Sequence, residues 1–273
     1  MGSINEGNTH WAQPKLSDSV LKMFDMTGKV VIITGGTGGI GYEVARGLAE
    51  AGANIALFYN TARNSDDLVT TIAKDFNVKA KAYKCSVESF EEVQAQTEAV
   101  VHDFGRLDVM IANAGISIPA GGIDDEVANW HTTMNINLSG AYYCAKVAGS
   151  IFRKQNSGNL IFTASMSGHI VNTPQSQACY NASKAAMIHL SRSLATDWTS
   201  FNARVNSVSP GYIDTAISGS CPREMKDQWH KLTPMHREGD PRELKGAYLY
   251  LASDASTFTT GTDIVVDGGY CCW

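Results

Sequence analysis

The 273-residue chain contains no apolar run long enough to cross a bilayer, and its opening segment is polar with no apolar signal core. A cytoplasmic protein is the expectation. Positive charge is scarce too: 22 Lys and Arg stand against 27 Asp and Glu, a net charge of −5, with no basic block. That balance argues against nucleic acid or an anionic membrane as the main partner. Cys85, Cys144, Cys179, Cys221, Cys271 and Cys272 show no paired zinc spacing, and several fall inside periodic segments, so reduced thiols are expected. His169, His189 and His230 share no common face, so no metal site is expected either.

What is present is 44% hydrophobic residues, enough to fill one large α/β core. Residues 1–27 lack strong periodicity and read as an N-terminal arm anchored by Val20, Leu21, Met23 and Phe24. From 28 to 273, apolar strands at 29–34, 54–59, 80–85, 108–112, 159–164 and 203–209 alternate with helical patterns, and a further strand lies near the end. This alternation predicts one α/β domain, a doubly wound parallel sheet of Rossmann type with about seven strands and helices on both faces. Residues 216–238 form a polar, proline-bounded segment that reads as a substrate lid. In it Met225 and Trp229 lie four apart, placed either to close a pocket or to pack the helix down.

Two stretches carry chemistry. Thr34-Gly-Gly-Thr-Gly-Gly-Ile-Gly41 leaves the first strand and opens a helix, where glycines let a pyrophosphate approach the first helical amides. Tyr180 and Lys184 sit one helical turn apart, and an ammonium beside a phenol favours the phenolate, which suits proton exchange with a substrate oxygen. Tyr142 and Lys146 have the same spacing, so the pattern alone identifies no site. Context favours Tyr180, because the strand upstream of it ends at Ser165, whose hydroxyl can share a substrate with the phenol. At the end of the second strand there is no acid to bind the adenosine ribose. Asn60-Thr61-Ala62-Arg63 stands there instead, fit to accept a 2′-phosphate through Thr61 and Arg63 and so to favour NADP over NAD; the alternative is a solvated loop cation.

Thr-Gly-x-x-x-Gly-x-Gly together with Tyr-x-x-x-Lys resembles the short-chain dehydrogenase/reductase family, and the likeness runs from about Phe24 to Tyr270. It implies an NADP(H) site made by Gly35, Thr37, Gly39, Ile40 and Gly41, by Asn60, Thr61 and Arg63, by Ser86 and Val87 near the adenine, and by Asn113-Ala114-Gly115. Around the nicotinamide it implies Pro210, Gly211, Ile213 and Thr215, with Tyr180 and Lys184 on the ribose side. The implied catalytic set is Asn137, Ser165, Tyr180 and Lys184, Asn137 linking the lysine to water; the alternative for Asn137 is a helix-bending residue alone. His236 stands where the family often has glycine, so the lid is expected to differ in shape. The last strand commonly pairs subunits in this family, which implies a homotetramer.

More narrowly, residues 163–170, 209–215 and 243–256 resemble the fungal NADP-dependent mannitol 2-dehydrogenases and the related L-xylulose and sorbose reductases. The implied reaction is NADPH-dependent reduction of a ketose to a polyol, of fructose/mannitol, L-xylulose/xylitol or sorbose type, and its reverse. A small-molecule ketone or polyol is then the partner. The alternatives are the same chemistry on a non-sugar ketone, and a nucleotide-binding protein without turnover.

Overall fold

The computed structural model describes residues 13–62, 64–118, 122–219 and 221–273. Arg63 and residues 1–12 of the arm lie outside the described residues. Seven strands form one parallel sheet: β1 (Val30–Thr34), β2 (Asn54–Tyr59), β3 (Ala80–Lys84), β4 (Val109–Ala112), β5 (Gly158–Thr163), β6 (Ala203–Pro210) and β7 (Asp263–Val266). Their order is β3-β2-β1-β4-β5-β6-β7. The chain therefore winds outward from β1 to β3, returns to the far side of β1 with β4, and winds outward again. At that reversal the connections from β1 and β4 part, leaving a crevice at the C-terminal strand ends.

The unbroken apolar run of β1 reflects burial on both faces. Val30 and Ile32 enter one core with Phe58, Phe152 and Met187, while Val31 and Ile33 enter the other with Leu48, Leu57 and Tyr248. Alternate side chains of a strand point to opposite faces, so both sets must be apolar. Helices α1 (Gly39–Glu50) and α2 (Ser65–Phe76) cover the second core. Across the sheet α3 (Phe90–Phe104), α4 (Val127–Met134), α5 (Gly140–Gln155) and α6 (Ala178–Asp197) follow in order. Later in the chain come α7 (Arg223–Leu232) and α8 (Lys245–Ala252), and α8 joins α1 over the second core.

Three details depart from simple periodicity. Between α4 and α5 the helix widens into a π turn, Asn135–Ser139, with Asn137 fully buried at its centre. Ahead of α8 the chain forms a 3-10 turn, Pro241–Leu244, fixed by a capping box between Asp240 and Glu243. In the arm, Val20 and Leu21 are 62% and 81% exposed; Met26, at 1%, is the residue that plugs into the core. The anchor assignment for Val20 and Leu21 is thus corrected: a single helical turn, Val20–Met23, is too short to bury all its apolar side chains.

Candidate active site

The crevice begins where Thr34 ends β1. Its hydroxyl accepts the main-chain N–H groups of Asn113 (3.0 Å) and Ala114 (2.9 Å), and Asn113 Nδ2 donates back to the Thr34 carbonyl at 2.9 Å. These bonds lash the β1 and β4 exits together. Space there is so tight that a Cβ on Gly41 would sit 2.5 Å from the Gly35 carbonyl oxygen and 2.7 Å from Asn113 Nδ2. Gly35 adopts φ of +60°, and Gly39 faces the Thr215 methyl, 3.1 Å from where its Cβ would lie. Gly38, the N-cap of α1, offers no side-chain cap, so the first helical amides are left for a ligand. A groove of about 340 Å³ runs along this loop past Gly115, Pro210 and Gly211 to Tyr180 and Lys184. Close-packed glycines and uncapped amides beside a groove fit the pyrophosphate of a dinucleotide.

The adenosine end is more open. Asn60 and Thr61 are exposed just beyond β2, and Thr37 is half-buried in the loop. Ser86 is half-buried after β3, its N–H donating to Glu92 (2.8 Å), and Val87 is buried against Gly140. Ile40 lines the groove, whereas Ile213 is buried on the second core and bridges to Gly239.

The reacting end is formed by β5 and α6. Ser165 follows β5 and caps a 3-10 turn, accepting the Ser167 N–H at 3.1 Å while its own hydroxyl donates to Ser167 Oγ at 3.1 Å. Tyr180 and Lys184 project from the first turns of α6. Lys184 is 3% exposed, its Nζ donates to the Thr163 carbonyl (2.7 Å), and it lies 5.5 Å from the centroid of the Tyr180 ring. Burial lowers the lysine pKa to about 8. Burial raises that of Tyr180, opposed by its hydrogen bond with Ser165. Burial outweighs the Ser165 hydrogen bond, so the pKa of the phenol is raised rather than drawn down as expected of a phenol beside an ammonium.

Asn137 braces this cluster. Its Oδ1 accepts the Ile116 N–H (2.8 Å), and its Nδ2 donates to the Ile116 carbonyl (2.9 Å) and to Ser183 Oγ (3.1 Å). Gly115 lies against both Asn137 and Lys184; a Cβ there would be 3.3 Å from Asn137 Oδ1 and 3.5 Å from Lys184 Nζ. Tyr142 is 44% exposed on α5, and Lys146 lies over the Phe90 ring, so that pair lines neither the groove nor the pocket beside it.

That second pocket, of about 470 Å³, shares Ser165 and Tyr180 with the groove. Its mainly apolar wall carries three carboxamides, Asn172, Gln175 and Gln177, beside Tyr212. The Tyr212 hydroxyl accepts from Gln175 Nε2 (2.9 Å) and Asn172 Nδ2 (3.1 Å). From α7, Trp229 stacks on the Tyr212 ring at 4.0 Å and 9°, and its indole N–H donates to Gln175 Oε1 (3.0 Å). Trp229 therefore both packs the helix and walls the pocket, and Met225 lines it one turn away. Within the same segment, Lys226 pairs with Glu238 at 2.9 Å, and His236 takes φ of +54°, a conformation that glycine adopts without strain. Sequence periodicity could not find the carboxamide wall, because Asn172, Gln175 and Gln177 sit on a loop. Their density just before Tyr180 was the only signal.

A sheet with this reversal, a glycine cradle at its crevice and a Ser–Tyr–Lys cluster between that groove and a second pocket define a dinucleotide-dependent oxidoreductase. Comparison with known proteins gives the class its family. A family model described as enoyl-(acyl carrier protein) reductase matches residues 35–271, and the chain belongs to the short-chain dehydrogenase/reductase family. It is 54% identical, over 95% of its length and 93% of the relative's, to a probable NADP-dependent mannitol dehydrogenase of Yarrowia lipolytica. It is 50% identical to a sorbose reductase of Candida albicans, covering 95% of this chain and 92% of that one. Among solved structures, the NADPH-dependent 3-quinuclidinone reductase of Rhodotorula rubra superposes with a TM-score of 0.93 at 48% identity, covering 96% and 98% of the two chains.

Proposed function

We propose that this chain uses NADPH to reduce a ketose to its polyol, of fructose, L-xylulose or sorbose type, and catalyses the reverse oxidation. The observation that carries this is the placement of Ser165 and Tyr180 in the wall common to the dinucleotide groove and a mainly apolar pocket, closed by Met225 and Trp229, into which Asn172, Gln175, Gln177 and Tyr212 bring polar groups. The names of the similar mannitol dehydrogenase and sorbose reductase support the same substrate class. NADP(H) is held by the Gly35–Gly41 loop, Asn113-Ala114-Gly115, Lys184, Pro210-Gly211, Ile213 and Thr215, with Ser86 and Val87 near the adenine. Thr61 and Arg63 receive the 2′-phosphate where an acid would repel it.

When bound, NADPH supplies the hydride. Ser165 donates a hydrogen bond to the carbonyl oxygen, and the Tyr180 phenol gives its proton to the forming alkoxide. Burial raises the pKa of that phenol, which favours the protonated form that reduction requires. Lys184 stabilises the phenolate left behind, and Asn137 at the π turn links the lysine to water. The 216–238 segment, with Trp229 on Tyr212, serves as the lid.

Six cysteines without a disulfide support a reducing compartment, the cytoplasm; among the described residues no helix is long and apolar enough to cross a membrane. The half-exposed edge strand β7 supports assembly into a homotetramer, which light scattering checks. The decisive experiment is oxidation of NADPH, and separately NADH, by the purified protein with fructose, L-xylulose, sorbose and bulky non-sugar ketones. Fast turnover of a ketose with NADPH is the expected result. Activity confined to non-sugar ketones overturns the substrate assignment, and preference for NADH overturns the cofactor assignment.

A further inference from the structure

We propose that Ser167, two residues beyond the catalytic serine, reads a substrate hydroxyl adjacent to the carbonyl, so that the pocket selects α-hydroxy ketones over bare ketones. The proposal rests on the ketone-reducing function above and specifies how the same pocket chooses its substrate.

The starting point is a shortage of hydrogens in a buried wall. Gln177 is 8% exposed, and its Nε2 lies within reach of three oxygens: Asn172 Oδ1 (3.0 Å), Asn181 Oδ1 (3.1 Å) and Ser167 Oγ (3.3 Å). A carboxamide nitrogen has two hydrogens, so one of these oxygens always goes without. Ser167 has the longest of the three contacts, is 4% exposed, and lines the pocket. In the ligand-free arrangement its Oγ is served by the Ser165 hydroxyl instead, at 3.1 Å.

That compensation conflicts with catalysis. Ser165 has one hydroxyl proton, shared between Ser167 Oγ and the Tyr180 oxygen, and while Ser167 takes it the carbonyl cannot have it. A substrate hydroxyl donating to Ser167 Oγ resolves the conflict: it replaces the Ser165 proton, which turns to the carbonyl oxygen. The two serine oxygens, 3.1 Å apart, match a carbonyl and the hydroxyl on its neighbouring carbon. A bare ketone has acceptors only. It leaves Ser167 dependent on Ser165 and forfeits the oriented proton, and losing one such buried hydrogen bond costs about tenfold in kcat/KM.

The test is a substrate–residue cycle on the full-length enzyme with NADPH. The kcat/KM for D-fructose is compared with those for 1-deoxy- and 3-deoxy-fructose, in the native protein and in Ser167→Ala, which removes the acceptor oxygen and little volume. The native enzyme is expected to lose about tenfold on one of the two deoxy ketoses, and Ser167→Ala to lose that discrimination. A cyclic ketone without hydroxyls should gain on fructose by a similar factor in the variant. NADPH affinity, followed by fluorescence, separates these changes from a cofactor defect. Equal discrimination in native enzyme and variant overturns the proposal, as does a native enzyme indifferent to both missing hydroxyls, a result that does not require the variant to fold. A native enzyme that reduces bare ketones and no ketose overturns the proposal and the proposed function together; ketose turnover without coupling overturns the proposal alone.

Discussion

Thr34→Val tests whether one hydroxyl holds the cofactor cradle together. Thr34 is 1% exposed, and its Oγ1 is the common acceptor for the N–H groups of Asn113 and Ala114. Valine keeps the shape and removes the oxygen, leaving both N–H groups without it. Asn113 and Ala114 are only half-buried, so water recovers part of the loss, and the net cost is about 1–3 kcal/mol. For a chain of this length each kcal/mol lowers Tm by about 2–4 °C. Asn113 Nδ2 also bonds the carbonyl oxygens of Thr34 and Gly35, so a loosened β4 exit loosens the glycine loop with it. NADPH should bind about tenfold more weakly, equivalent to ~1.4 kcal/mol. Thermal melting and fluorescence titration measure the two effects, and Thr34→Ser, which keeps the acceptor, should restore most of both. A valine variant that melts within about one degree of the native protein and binds NADPH within about twofold would refute the reasoning.

Four further outcomes are expected. Tyr180→Phe should lower turnover by about 10²–10⁴-fold with NADPH binding retained; loss of turnover in Tyr142→Phe instead would move the site to the other pair. Because burial lowers the Lys184 pKa to about 8 and raises that of Tyr180, ketone reduction should hold through neutrality and decline as pH passes about 8, where the lysine loses its charge while the phenol is still protonated. A kcat/KM profile for reduction that keeps rising above that pH contradicts the assignment. Gly41→Ala places a methyl 2.5 Å from the Gly35 carbonyl oxygen and should abolish NADPH binding in a titration, with a lower Tm. Arg63→Gln should weaken NADPH by about tenfold and leave NADH nearly unchanged, which paired KM measurements decide.

The fold was legible in the sequence because a sheet covered on both faces demands unbroken apolar strands. Runs such as 30–34 and 54–59 announce themselves without any knowledge of what they touch. The glycine loop was legible for a related reason, since it depends on a local strand-to-helix turn, whereas the spacing of Tyr180 and Lys184 recurs at Tyr142 and Lys146 and needed Ser165 at the end of the preceding strand to single it out. The arm was misjudged where short-range hydrophobicity stood in for burial, and Met26 rather than Leu21 reaches the core. Tertiary structure alone decided the rest. Thr34 meets Asn113 across 79 positions, and Gln175 meets Trp229 across 54, contacts that no local pattern encodes. It also decided the upward shift of the Tyr180 pKa, since desolvation depends on everything packed around the phenol, and it decided the pocket wall, whose chemistry arises only when a loop, a strand end and helix α7 converge.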